Sequence, residues 1–289
     1  MSDQAEELRQ KLLRAHHKPA QTIAVVSGKG GVGKSNISMN FAIQLSNYGK
    51  KVLILDMDIG MGNIHLLTGQ SAEYSIIDFF ENNVELEDLV VEGPGGISCI
   101  LGGTSLGRLM EWGENHLERW LSAFEKLQYQ YDYLLFDMGA GATKESLDII
   151  MSVEDVIVVT TPEPTAITDA YSMMKYIHLR DEQKSFHLIC NRAEKPSEGT
   201  ETLRRLKHVM NQFMNKEVVE LGILPEDKTV RKAVSAQQPF LLSYPNAVIS
   251  QSMRGLVSKY VNSPVDAEHS FEKIGFVKKL RYFLFERQR

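Results

Sequence analysis

The residues best suited to chemistry form one loop, Gly28-Lys29-Gly30-Gly31-Val32-Gly33-Lys34-Ser35. It satisfies the spacing G-x-x-x-x-G-K-[ST], directly after an apolar strand-like run and directly before a helical one. The glycines let the loop turn with positive φ and bring backbone N–H groups against phosphate oxygens. The helix that follows presents its positive end to the same anion. In this pattern Lys34 reaches the β- and γ-phosphates and the Ser35 hydroxyl ligates Mg²⁺. Lys29 is an extra cation that cannot fold back easily onto its own γ-phosphate. It is well placed to cross a dimer interface and neutralise charge on a partner's nucleotide, as an arginine finger does. Asp137 ends an apolar run, Tyr133-Leu134-Leu135-Phe136, where a carboxylate suits Mg²⁺ through its waters.

The elements that must position this loop follow from hydrophobic patterning. Strands are expected at 22–27, 51–56, 133–137, 155–160 and 187–190, with weaker candidates at 97–101 and 217–222. Their near-continuous apolar runs suit strands covered on both faces. Helices fit residues 35–49, 114–128, 164–179, 200–215 and 245–260. This βαβα alternation predicts an α/β fold, a doubly wound, mostly parallel sheet with helices on both faces. A charged helix, Glu6 to Leu13, precedes it within residues 1–20. The main domain is expected over 21–260, a linker over 261–270, and a separate amphipathic segment over 271–289.

The 289 residues carry average globular composition, 43% hydrophobic and 24% charged, which excludes a disordered, collagen-like or disulfide-stapled chain. No apolar run is long enough to span a membrane, and the acidic start is wrong for a secretory signal. Two distant cysteines, Cys99 and Cys190, argue against a disulfide, zinc site or iron–sulfur cluster and point to a reducing cytosol. A net charge of −5 argues against broad nucleic-acid coating, and no specific nucleic-acid partner is expected.

The charge is unevenly spread. In the last segment Phe276, Val277, Leu280, Phe283 and Leu284 fall on one helical stripe, with Lys278, Lys279 and Arg281 off it. A basic amphipathic end on an acidic body suggests an in-plane membrane helix drawn to anionic lipid. A helix docked on its own domain is the alternative, and both fit if they belong to different nucleotide states.

The run Lys29 to Ser35 resembles the deviant Walker A family of P-loop ATPases, which includes MinD, ParA and the nitrogenase iron protein. Asp56-Met57-Asp58-Ile59-Gly60-Met61-Gly62-Asn63 is similar to that family's switch I, and Asp137-Met138-Gly139-Ala140-Gly141 to its Walker B and switch II. Ser35-Asn36 departs from the usual double threonine. With Asp3-Gln4-Ala5-Glu6-Glu7-Leu8-Arg9, this departure resembles the FlhG-type (YlxH) regulators of flagellar number and placement.

The resemblance implies ATP hydrolysis to ADP, with Asp58 orienting the attacking water and Asp56 near the magnesium's water shell. It implies nucleotide contacts from the loop through Asn36, and adenine contacts from Asn191, Arg192 and the stretch Leu224-Pro225-Glu226-Asp227. It further implies an ATP-dependent homodimer, reversible association with the inner face of the cell membrane, and flagellar switch-complex (C-ring) partners. An FlhF-type GTPase would be touched by Asp3, Gln4, Ala5, Leu8 and Arg9. The alternative within the family is a ParA-type ATPase acting on DNA or cargo positioning, which would carry its basic charge on a surface rather than on an amphipathic end.

Overall fold

Strand β1 (Gln21–Val26) is the centre of an eight-stranded sheet in the order β3-β4-β2-β5-β1-β6-β7-β8. The structure is a computed structural model that describes residues 18–57, 64–74, 76–82, 84–101, 114–141, 144–262 and 275–286. The other strands are β2 (Val52–Met57), β3 (Val90–Glu92), β4 (Ser98–Ile100), β5 (Tyr133–Met138), β6 (Asp155–Thr160), β7 (Ser185–Ala193) and β8 (Val219–Pro225). All pairings are parallel except β3 with β4 at one edge.

Every residue of β2, β5 and β6 is buried. Helical crossovers cover both faces, so these strands need no alternation and read as unbroken apolar runs. One face is packed by α1 (Lys34–Asn47), the short helices α2 (Ile64–Thr68) and α9 (Phe240–Ser243), and α10 (Val248–Asn262). The other carries α4 (Glu114–Leu127), α5 (Lys144–Ser152), α6 (Pro164–His178) and α7 (Pro196–Met214). Helix α3 (Ile76–Glu81) adds Phe79 and Phe80 to the second face, and α8 (Lys228–Ser235) adds Ala233 to the first. The strands and helices expected between residues 21 and 260 are all present within a few residues. Two shifts matter: β7 runs on to Ala193, so Asn191 and Arg192 lie inside the strand end, and α7 begins earlier, at Pro196.

The terminal segment adopts the docked alternative. Helix α11 (Phe276–Arg281) continues into a wider turn, Tyr282–Glu286. Phe276, Val277, Leu280 and Leu284 are buried in the same cluster as α4 to α7, and Phe283 is partly buried against it. The Phe276 ring lies 5.2 Å from that of Phe136 on β5 and 6.1 Å from that of Phe124 on α4. Arg281 pairs with Glu118 of α4. The stripe expected to face lipid therefore faces the protein. Each fully buried large apolar side chain contributes about 1.5–3 kcal/mol, which accounts for the docking. Residues 1–17, with Asp3, Gln4, Ala5, Leu8 and Arg9, lie outside the described residues, as does most of the expected linker.

Candidate nucleotide site

The phosphate loop joins β1 to α1, at the C-terminal edge of the parallel strands, where α/β sheets gather ligands. Gly33 precedes α1 with φ of +91°, and an added Cβ would stand 2.5 Å from Asn191 Nδ2. Gly28 is equally constrained, since its Cβ would meet the Asp169 carbonyl carbon at 2.2 Å. No side chain caps α1, so its first-turn N–H groups point open-ended into the loop. Gly30, Gly31, Ser35 and Asn36 complete this cradle, whereas Val32 is 4% exposed and belongs to the core.

Beneath the loop sits a buried ionic cluster. Lys34 Nζ donates to Asp137 Oδ1 at 3.1 Å, and Ser38 Oγ donates to the same oxygen at 2.8 Å. Asp137 is 0% exposed and its Oδ2 has no hydrogen-bond partner among the described residues. Burying an ionised carboxylate oxygen unsatisfied is costly, so this atom fits a hydrated cation. Asp56 is the direct register partner of Asp137 across β2 and β5. Its Oδ2 accepts from the Ile64 N–H at 3.1 Å, which ties the start of α2 to the strand end. Asp58 lies outside the described residues.

Lys29 leans the other way. Its Nζ donates to Glu163 Oε2 at 2.6 Å and to Thr165 Oγ1 at 3.1 Å, both at the start of α6. A hydrogen bond and the positive charge from Lys29 hold the Glu163 carboxyl below its usual range. Glu163, Thr165 and Ser38 escaped the sequence reading. Ser38 was findable, because it lies one turn beyond Lys34 on the same helix face. Glu163 was not, because only the placement of β6 beside β1 brings α6 to the loop.

A cavity of about 780 Å³ runs outward from Gly33 and Asn36 past the ends of β6, β7 and β8 and along the first turns of α7. Asn191, Arg192, Pro225, Glu226 and Asp227 line it. Asn191 Nδ2 donates to the Val32 carbonyl at 2.8 Å, so its Oδ1 is left to accept from a base. Arg192 takes φ of +57°, a left-handed conformation uncommon outside glycine. The expectation for Leu224 needs correcting: its side chain is 0% exposed in the core and does not line the cavity. A strand alternates faces, so Leu224 points inward while Pro225 points out. Asp227 also has a structural duty, capping α8 through the Thr229 N–H at 2.8 Å.

The thiols take no part. Cys99 and Cys190 are buried in the clusters on opposite faces of the sheet. Burial pushes the thiols up to about 12 and about 11 respectively, which keeps them protonated at neutral pH.

A doubly wound sheet carrying this loop, its strand-end carboxylates and a cavity large enough for a nucleotide define the molecule as a P-loop nucleotide hydrolase. Residues 18–261 match the ParA family model, described as "NUBPL iron-transfer P-loop NTPase", and the chain belongs to that family of ATPases. It is 30% identical to the antiactivator FleN of Pseudomonas aeruginosa over 91% of this chain and 94% of that protein. It is 32% identical to the flagellum site-determining protein YlxH of Helicobacter pylori over 90% of each. Among solved structures, the cell-division ATPase MinD of Pyrococcus furiosus aligns with a TM-score of 0.68 at 20% identity, covering 84% of this chain and 98% of that one. MinD of Pyrococcus horikoshii, complexed with Mg-ADP, aligns at 0.67 and 23% identity, covering 84% and 96%, and both likenesses establish the fold.

Proposed function

We propose that this chain is an ATP-driven switch that controls the number and placement of bacterial flagella. The observation that carries the reading is the docking of an amphipathic stripe whose residues also suit a lipid interface. The side chains suited to lie in a lipid interface, Phe276, Val277, Leu280 and Leu284, are those that close the slot over Phe124 and Phe136. They cannot serve both surfaces at once, so membrane binding requires the helix to leave its slot. ATP supplies the trigger by closing a head-to-head dimer, in which each Lys29 exchanges Glu163 for the partner's nucleotide. Two released helices then engage anionic lipid together, and linkage makes two weak contacts firm.

Lys34 and the open N–H groups of α1 bind the phosphates, and Asp58 orients the water that attacks the γ-phosphorus. Ser35, Asp137 and, through water, Asp56 would hold Mg²⁺, which supplies charge neutralisation at the β- and γ-oxygens. The orphaned Asp137 Oδ2 is the atom that fits it. Asn191, Arg192 and Pro225 receive the adenine. The likeness to FleN and YlxH supports the flagellar role, with an FlhF-type GTPase and C-ring proteins as partners.

Sedimentation with anionic vesicles, in ADP and in ATP, tests the reading. ATP should drive the protein into the pellet as a dimer and ADP should not. Equal pelleting in both nucleotides would overturn it.

A further inference from the structure

The cavity beside the phosphate loop carries one carboxylate that the site has not yet used. Glu198 lies in the first turn of α7, is partly buried and lines the cavity wall. Four of the other five acids there are engaged. Glu163 holds Lys29, Glu201 holds Arg204 and Arg205, and Glu226 holds Arg231. Asp227 accepts from the backbone N–H groups of Thr229 and Ile249. Glu194 is exposed at the rim. The Glu198 carboxylate has no hydrogen-bond or ion-pair partner among the described residues. A second group in the same wall is also unused, the Thr161 hydroxyl, buried and without a partner among the described residues.

A carboxylate can only accept hydrogen bonds. A bound adenine nucleotide offers two kinds of donor, the exocyclic amine of the base and the ribose hydroxyls. The amine already has an acceptor in Asn191 Oδ1, whose amide is oriented by the Val32 carbonyl. The hydroxyls are left for Glu198. We propose that Glu198 is the sugar-reading residue of the site, making the enzyme selective for ribonucleotides over deoxyribonucleotides. This rests on the nucleotide-binding reading above.

The test is calorimetric titration of the full chain with ADP, 2′-deoxyADP, 3′-deoxyADP and GDP. A hydrogen bond to a charged acceptor is worth about 10- to 100-fold in affinity, so the wild type should prefer ADP over at least one deoxy analogue by that factor. Glu198→Ala should bring ADP down to the affinity of that analogue and leave the analogue's own affinity unchanged. Glu198→Gln, which still accepts one bond in the same volume, should keep part of the preference. Equal binding of ADP and both deoxy analogues by the wild type would overturn the proposal. So would a preference that survives Glu198→Ala, or a variant that changes only the ratio of ADP to GDP, since the carboxylate would then read the base. If the wild type binds none of the four, the nucleotide reading itself fails.

Discussion

Lys29 and Glu163 are 134 residues apart in sequence, yet their side chains meet at 2.6 Å across the mouth of the phosphate loop. The pair holds within one chain a cation that the proposed switch needs for the neighbouring one. Exposed ion pairs of this kind are weak, so Glu163 restrains Lys29 without trapping it. Glu163→Gln should therefore lower the ATP concentration at which dimers form by a few-fold, measured by analytical ultracentrifugation. Lys29→Ala should abolish hydrolysis in the dimer while leaving ADP affinity close to wild type. Equal losses of ADP affinity in Lys29→Ala and Lys34→Ala would sink the role across the dimer.

The buried pair of Lys34 and Asp137 makes a different demand. Lys34 is 7% exposed, and removing its carboxylate leaves a buried charge alone. Asp137→Ala should cost about 3–5 kcal/mol of stability, read by urea unfolding, as well as nucleotide turnover. A loss under about 1 kcal/mol would mean that the ammonium finds another partner.

For Asp58 the expectation rests on the resemblance of the run Asp56 to Asn63 to the family's switch I. Asp58→Ala should still bind ATP and accumulate as dimer, because the phosphate cradle is intact while water orientation is lost. Hydrolysis at the wild-type rate would remove Asp58 from that role.

Docking of α11 sets up a contrast between two variants. Glu118→Arg opposes Arg281 with a like charge and should loosen the helix from its slot, raising vesicle binding in ADP. Phe276→Glu puts a charge into the slot and into the lipid stripe alike, so it should undock the helix and weaken vesicle binding in ATP. If both variants sediment as the wild type does in each nucleotide, α11 is a permanent core element.

A buried network at the opposite end of the sheet governs acid stability. Burial alone would raise the pKa of Asp155. Hydrogen bonding and charge from His187, with further hydrogen bonds from Tyr260 and Gln21, outweigh it and lower the pKa below 3.8. A carboxyl depressed in the folded state stabilises the fold above its unfolded pKa, and that contribution fades as pH falls through the folded one. Urea unfolding should therefore show wild type more stable than Asp155→Asn at pH 7, with the gap narrowing towards pH 3. A gap independent of pH would mean that packing, rather than the ionised network, carries the effect.

Much of this was legible along the chain. Local order carries information where the physics is local. Strands buried on both faces must be apolar throughout, and a phosphate loop needs its glycines, lysine and serine consecutive. Hence the alternation of β and α elements, the loop and the terminal carboxylate Asp137 could all be read directly. The same holds for the stripe of α11, whose periodicity marks an amphipathic helix whatever it packs against.

What covers that stripe is not a local property. Phe276 finds Phe136 and Phe124 only because β5 and α4 leave a slot on one face of the sheet. A helical wheel is equally satisfied by lipid. The partners of Lys29, the crowding of Gly33 by Asn191 and the inward turn of Leu224 are likewise consequences of strand order and pleat. Residues alone determined that this chain carries a phosphate loop and an amphipathic end. Tertiary structure decided which side chains restrain, complete or cover those parts, because such contacts join residues distant in sequence through the order of strands in the sheet.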